Sequence, residues 1–488
     1  MGKINLKEKR NMSMLMDFYE LTMSNAYLSK GLKDKVVYFD MFFRKVPEQG
    51  GFAIMAGLKQ LTEYIEGLKF DEADIEYLRS LNIFNEEFLE YLRNFKFTGS
   101  IYSVKEGTPI FPNEPIITVK APIIEAQLIE TMILLTINHQ SLIATKANRI
   151  ARAAKGIPIL EFGARRSQGY DGSIYGARAA YIGGAQGTAT AIAGEVFGIP
   201  VFGTMAHSWI QLFEDEYEAF KAYAESYPDS CTLLVDTYSV LESGVPNAIK
   251  VAKEVLEPMG KRLKGVRLDS GDMAYLSRKT RKMLDEAGLN DCNIVASNSL
   301  DEYTITSLLN QGAKIDVFGV GERLVTSKAE PVFGGVYKLV AVEDNEGKPI
   351  PRIKLSENVE KVSNPGFKKV YRLFNKENDT AIADIITMAD EVIDDTNPYT
   401  IFDPVYTWKK KKLTNYYAVE LQIPIFEDGV KVYKSPSLKE IKHYCEEEVN
   451  KLWEEVRRFE NPHTYYVDLS KKLWNTKREL IERLREEN

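Results

Sequence analysis

Hydrophobic and polar positions fall into three regimes along the chain. In the first, residues 36–43 (VVYFDMFF) are apolar at nearly every position and predict a strand. Residues 58–68, 70–81 and 85–95 space their apolar side chains three and four apart, the period of amphipathic helices. Residues 100–122 interrupt apolar runs with Gly and Pro, which predicts an antiparallel β element. In the second regime short apolar runs at 157–162, 199–204, 232–237, 265–270, 293–297, 315–320 and 335–342 alternate with helical stretches at 174–197, 208–226, 243–257, 273–287 and 300–311. That alternation predicts a parallel sheet with crossover helices, buried on both faces. An α/β barrel, closed or interrupted, and a doubly wound open sheet both satisfy it. The third regime ends in two charged helices, 437–459 and 469–487, whose apolar residues recur at helical spacing and read as packed amphipathic helices. The lysine run 409–412 reads as a solvated loop. The expected organisation is an N-terminal α/β domain (1–138), a barrel (139–345) and a C-terminal helical extension (346–488).

The 488 residues exceed what one core usually serves, in keeping with several domains. A net charge of -7 with acid and base interspersed offers no basic stripe, so nucleic acid is not an expected partner. No apolar run reaches membrane-spanning length, and the first fourteen residues lack the apolar core of a signal peptide. Leu6 also breaks the myristoylation pattern that Gly2 would open. Cys231, Cys292 and Cys445 form no paired framework, which fits a cytoplasmic protein.

The chemistry gathers where the strands of the second regime end. Strand 157–162 runs into Gly163, Arg165 and Arg166, with Glu161 just before them. The next tips carry Gly203, Thr204, His207 and Ser208; then Asp236; then Arg267, Asp269, Ser270 and Asp272; then Ser297 and Asn298; then Gly319, Gly321 and Glu322. One such tip could be a helix cap. Six in succession point to a shared site, since parallel barrels build theirs at the carboxyl ends of the strands. Arginines offer forked donors to phosphate or carboxylate. Gly319 and Gly321 permit close backbone approach to a phosphate, and the aspartates could hold ribose hydroxyls or Mg²⁺. Of the four histidines, His207 alone sits just past a strand. It could accept a phosphoryl group. His443 and His463 read as structural, and His139 stays ambiguous.

The stretches EFGARRSQGYDG, GTMAHSW, VDTYSVLESGVPNA, GVRLDSGD and FGVGERLVTSKAEPVFGGVYKLVA resemble, in that order and spacing, the nicotinate phosphoribosyltransferase family. MDFYELTM at 16–23 resembles the family's amino-terminal motif. The resemblance implies a type II phosphoribosyltransferase fold, an irregular α/β barrel packed on an N-terminal α/β domain, assembled as a homodimer with shared sites. It implies a reaction in which nicotinate and phosphoribosyl pyrophosphate give nicotinate mononucleotide and pyrophosphate. Mg²⁺ is required, and ATP hydrolysis is coupled through a phosphohistidine. By position, His207 matches the phosphorylated residue. Tyr19 and Arg267 would sandwich the pyridine ring. Thr204 and Arg165 lie where substrate and phosphates are contacted, and Asp236 and Asp269 where ribose or its metal is held. Ser297, Asn298, Gly319 and Gly321 lie at the sugar-phosphate end.

Two departures matter. Many relatives carry Thr where this chain has Glu322. That carboxylate must turn away, be offset by Arg323, or leave the phosphate to other groups. The nicotinamide-using relatives place an Asp after a Gly-Thr pair, where this chain has Ala189, which favours the acid substrate. The rival readings are a nicotinamide enzyme, a non-catalytic ligand sensor and a Schiff-base aldolase. The last needs a lysine at a strand tip, and no tip carries one.

Overall fold

The computed structural model describes residues 11–356 and 362–486. The reading of the extreme N-terminus falls mostly on residues 1–10, outside the described residues. The chain divides into two compact units, one of residues 1–142 and 332–488, the other of residues 143–331.

The second unit holds six parallel strands: Ile159–Glu161, Gly187–Thr188, Thr232–Leu234, Gly265–Leu268, Asn293–Ser297 and Val317–Val320. Counted along the chain, their order across the sheet is 2-1-6-5-4-3. That is the circular order of a barrel opened once, between its second and third strands. A doubly wound sheet instead reverses direction at an internal switch point. The order therefore selects an interrupted barrel over the open sheet. At the opening, residue 201 makes only an isolated parallel bridge to Thr188. The strand expected at 199–204 is otherwise absent, because its neighbours Gly198 and Pro200 punctuate a loop.

The helix expected over 174–197 is two helices, Gly169–Gly183 and Ala191–Phe197, with a barrel strand between them. Gly184, at φ 126°, ends the first, a backbone angle that favours glycine. The run 335–342 does not join the barrel. Strand Gly335–Glu343 pairs antiparallel with Val36–Phe43 in the other unit, with Val37 opposite Val342.

That other unit is built on a seven-stranded antiparallel sheet that includes Val36–Phe43, Ser100–Val104, Ile117–Pro122 and Gln422–Glu427. Helices Leu58–Gly67, Glu72–Ser80 and Glu86–Arg93 add apolar faces to its core, among them Leu61, Ile75, Leu78, Phe88 and Leu92. Asp71 and Asp74 form a capping box at the start of the second, and Asn85 caps the third through Phe88 N (2.8 Å).

The C-terminal segment departs from the expected helical extension. Both helices are present, Leu438–Asn450 and Lys471–Glu486, but a four-stranded sheet (Lys368–Asn375, Ala381–Met388, Tyr416–Glu420, Val467–Leu469) accompanies them. Buried cations concealed its main strand. Lys368 pairs with Asp40 (2.8 Å), and Arg372 pairs bidentately with Asp384 (2.8 and 2.6 Å). Charged residues therefore occupy positions where a strand pattern needs apolar ones. The lysine run is likewise no loop: Lys410–Leu413 is a strand paired with Tyr399–Phe402. Its exposed lysines suit an edge, where charge discourages further pairing. Among the described residues no helix is long and apolar enough to cross a membrane.

Candidate active site

The barrel delivers its polar residues at one edge, and hydrogen bonds join four of the tips. Arg267, from strand Gly265–Leu268, is the hub. Its Nε donates to Ser297 Oγ (2.9 Å), one terminal nitrogen to Thr204 Oγ1 (3.0 Å), and the other to Asp269 Oδ1 (2.9 Å). Ser297 also donates to Asp269 Oδ1. The guanidinium is thus held on three sides, with its charge matched by one carboxylate. Its carbon lies 5.9 Å from the centre of the Phe162 ring.

Asp236 links this hub to the histidine. Its Oδ1 lies 3.2 Å from His207 Nε2, and its Oδ2 accepts from Asp269 N (3.2 Å) and Ser270 Oγ (2.6 Å). The Asp236 side chain is 1% exposed and that of His207 40%. A carboxylate with every donor in place holds a half-open imidazole. In the neutral imidazole, with Asp236 as acceptor, Nε2 carries the hydrogen and the lone pair is left on Nδ1.

Glu161 is the buried carboxylate of the site. It accepts from Thr188 Oγ1 (2.6 Å) and from Gly163 N. Burial pushes its carboxyl above the usual range. It fastens the turn that carries Phe162 and Arg165. Phe162 in turn explains Gly319: a Cβ there would stand 2.6 Å from the ring. Packing against Phe162 is one demand this position makes, independent of any anion its backbone meets. Gly319→Ala should therefore shift the ring and cost about 1–3 kcal/mol. Thermal melting would register a fall of several degrees, and an unchanged melting temperature would refute the packing role.

The remaining expected residues lie at the same strand ends without joining the network. Arg165 is exposed on the short turn Ala164–Arg166, and Gly203 and Ser208 are exposed. Asn298 and Ser299 turn the chain with positive φ (87° and 52°), an uncommon backbone for such residues. Gly321 opens the short helix Glu322–Val325. Asp272 departs from expectation: it caps helix Met273–Glu286 through Tyr275 N (2.9 Å). Glu322 turns to Lys328 (2.7 Å), which holds its carboxyl below the usual range. Arg323 is not its partner and pairs with Asp301 instead. Tyr19 belongs to the first unit, on helix Phe18–Ser29, and is 44% exposed. Burial, followed by Glu130, raises its phenol above the ordinary value.

Phe162 is the residue that motif reading passed over, since it carries no polar group to mark it. The other histidines sit apart: His443 faces Glu447 on an exposed helix, His463 bonds Thr464 O (2.8 Å), and burial holds His139 below its ordinary value. All three cysteines are buried, each thiol pushed up to about 12 by burial first of all.

An interrupted parallel barrel with an N-terminal α/β domain defines a phosphoribosyltransferase of the type II fold. Family models agree along the chain: the nicotinate phosphoribosyltransferase N-terminal domain over residues 14–138, the family model over 157–347, and the C-terminal domain over 367–477. The chain belongs to the nicotinate phosphoribosyltransferase family. It is 47% identical over 473 residues to the nicotinate phosphoribosyltransferase of Bacillus subtilis, covering 96% of this chain and 95% of that one. The crystal structure of human nicotinic acid phosphoribosyltransferase superimposes with a TM-score of 0.84 at 29% identity, covering 96% and 100%. That of the Pyrococcus furiosus nicotinate-nucleotide pyrophosphorylase gives 0.69 at 26%, covering 92% and 99%.

Proposed function

We propose that this protein joins nicotinate to the ribose of phosphoribosyl pyrophosphate, releasing pyrophosphate in the route to NAD, with ATP hydrolysis coupled through His207. The observation that carries this reading is the Asp236-held histidine bonded into the Arg267 network at the barrel's carboxyl edge.

Transfer breaks the C1–oxygen bond to pyrophosphate with oxocarbenium character, by analogy with glycosyl transfer. Arg267 and Arg165 counter the growing negative charge of the leaving group. Tyr19 is assigned to the ring, with Arg267 on the opposite face; the homodimer and its shared sites rest on the family resemblance. Thr204, Gly203, Ser208, Ser297, Asn298, Gly319 and Gly321 are assigned to substrate and phosphate binding. Lys328 neutralises Glu322, so this carboxylate does not oppose a nearby anion. Ala189 is exposed just past strand Gly187–Thr188, and the adjacent Glu161 is occupied by Thr188 and Gly163. At this position neither Ala189 nor Glu161 offers a free carboxylate to an amide, which supports nicotinate over nicotinamide.

Asp269 suits Mg²⁺. Its Oδ1 is taken by Arg267 and Ser297, and among the described residues its Oδ2 has no partner. One carboxylate oxygen plus substrate phosphates and water is how Mg²⁺ is commonly held. When bound, the ion would neutralise diphosphate charge.

His207 would take the phosphoryl group of ATP on Nδ1: the new N–P bond forms as the bond to ADP breaks. Water later cleaves the phosphoimidazole. His207→Ala should lose ATP stimulation and keep slow transfer. Equal stimulation in the variant would remove His207 from the coupling. The reaction itself is tested with phosphoribosyl pyrophosphate, Mg²⁺ and either nicotinate or nicotinamide, with and without ATP. ATP-stimulated mononucleotide from nicotinate alone is expected. Product mainly from nicotinamide would overturn the Ala189 argument, and product from neither would overturn the activity.

A further inference from the structure

The unit of residues 1–142 and 332–488 contains a cavity of about 850 Å³, the size of a site for a small organic molecule. It owes nothing to the barrel residues above. One wall is a single face of helix Lys471–Glu486. Trp474, Lys477, Arg478, Ile481 and Arg485 follow one another at helical spacing, and all line the cavity. Phe42, Ile386 and Leu469 supply further apolar lining. Trp474 is fixed by its indole N–H, which donates to Pro404 O (2.9 Å), so the apolar wall is preformed.

Among the described residues that line this space the charges do not balance. Asp40 is the sole acid among the described lining residues, and Lys368 consumes it at 2.8 Å. Arg478 pairs with Glu482 on its own helix (3.1 Å). Lys477 finds only the neutral amide oxygen of Asn364 (2.8 Å), and Arg485 pairs with no carboxylate among the described residues. Burial first, then Lys368, lowers the Lys477 ammonium to about 8. A cation with this little compensation in an apolar cavity is stabilised by an anion brought to it.

We infer that this cavity binds a small amphipathic anion, an apolar body bearing one acidic group, with the body on Phe42, Trp474 and Ile481 and the charge at Lys477 and Arg485. The body supplies apolar burial and the acid supplies the counter-charge. Neither alone fills the site.

Calorimetric titration of the full chain with naphthalene-1-sulfonate, its neutral sulfonamide and inorganic phosphate tests this. The sulfonate should bind one site at least tenfold more tightly than either of the others. Lys477→Met should abolish that preference, and Lys477→Arg should keep it. Arg267→Ala should leave it intact, which separates this cavity from any aromatic-anion site in the barrel. Equal affinity for sulfonate and sulfonamide overturns the inference on the unmodified protein, whatever the variants do. Phosphate binding as tightly as the sulfonate, preference surviving in Lys477→Met, or preference lost in Arg267→Ala would overturn it as well.

Discussion

Replacing Arg267 by Ala is expected to leave the protein folded and to lower kcat/KM for nicotinate mononucleotide formation by about 10²–10³, the usual loss when a positioned charge-stabilising donor is removed. Arg267 donates to Thr204, Ser297 and Asp269, three residues from three different connections at the barrel edge. The substitution therefore removes a donor and also frees Asp269 from its counter-charge. Lysine restores the charge but not the fork, so Arg267→Lys should recover only a small part of the loss. Steady-state kinetics on both variants decide it. Near-complete rescue by lysine would mean that charge alone matters there, and that the three-way hydrogen bonding is incidental.

The second large effect concerns stability. Arg372 is fully buried, bound bidentately to Asp384 and also to Pro109 O (2.8 Å). Its guanidinium carbon lies 5.4 Å from the Phe111 ring centre, and Phe111 stacks on Tyr465 at 3.9 Å. Arg372→Met should cost about 3–5 kcal/mol, because Asp384 would then be a buried charge without a counter-charge, left with the Tyr465 hydroxyl (2.9 Å). Adding Asp384→Asn should return part of that. Urea denaturation measures both, and a single variant within about 1 kcal/mol of wild type would refute the argument.

Glu114 gives the same cluster a pH signature. Burial, and then the Asp384 charge, raise its carboxyl well above 4.5. A raised acid binds its proton more tightly folded than unfolded. Its stabilisation is complete below about 4.5 and declines as pH climbs toward the folded-state value. Glu114→Gln, which mimics the protonated acid, should remove this slope, so the stability of wild type relative to the variant should fall as pH rises. A constant difference would rule out the linkage.

Legibility of the sequence followed where charge was placed. Residues 36–43 were plain because Asp40 is their single charged residue, and the strand has the bounds its pattern predicted. Residues 368–375 were opaque because their inward charges are neutralised by acids on other strands, Asp40 and Asp384. The barrel could be read as alternation, but its opening could not, since Gly187–Thr188 is too short to leave a period. Within the site, the tip residues were visible as polar groups after apolar runs. Their bonding was not: Asp272 looks like Asp269 in sequence, yet one caps a helix and the other anchors an arginine. The packing demand at Gly319 was equally hidden, because glycine cannot announce which neighbour excludes its Cβ.

The pairing of Val37 with Val342 spans about 300 residues. A ribosome adding roughly 5–20 residues per second therefore exposes strand Val36–Phe43 for on the order of fifteen seconds to a minute before Gly335–Glu343 emerges to cover that edge. The barrel residues, contiguous in the chain, are all made within that interval. The antiparallel sheet thus waits with one flank unclothed, the kind of edge on which nascent chains aggregate. Recombinant yield should accordingly depend on translation speed and on chaperone supply more than the stability of the finished protein would suggest.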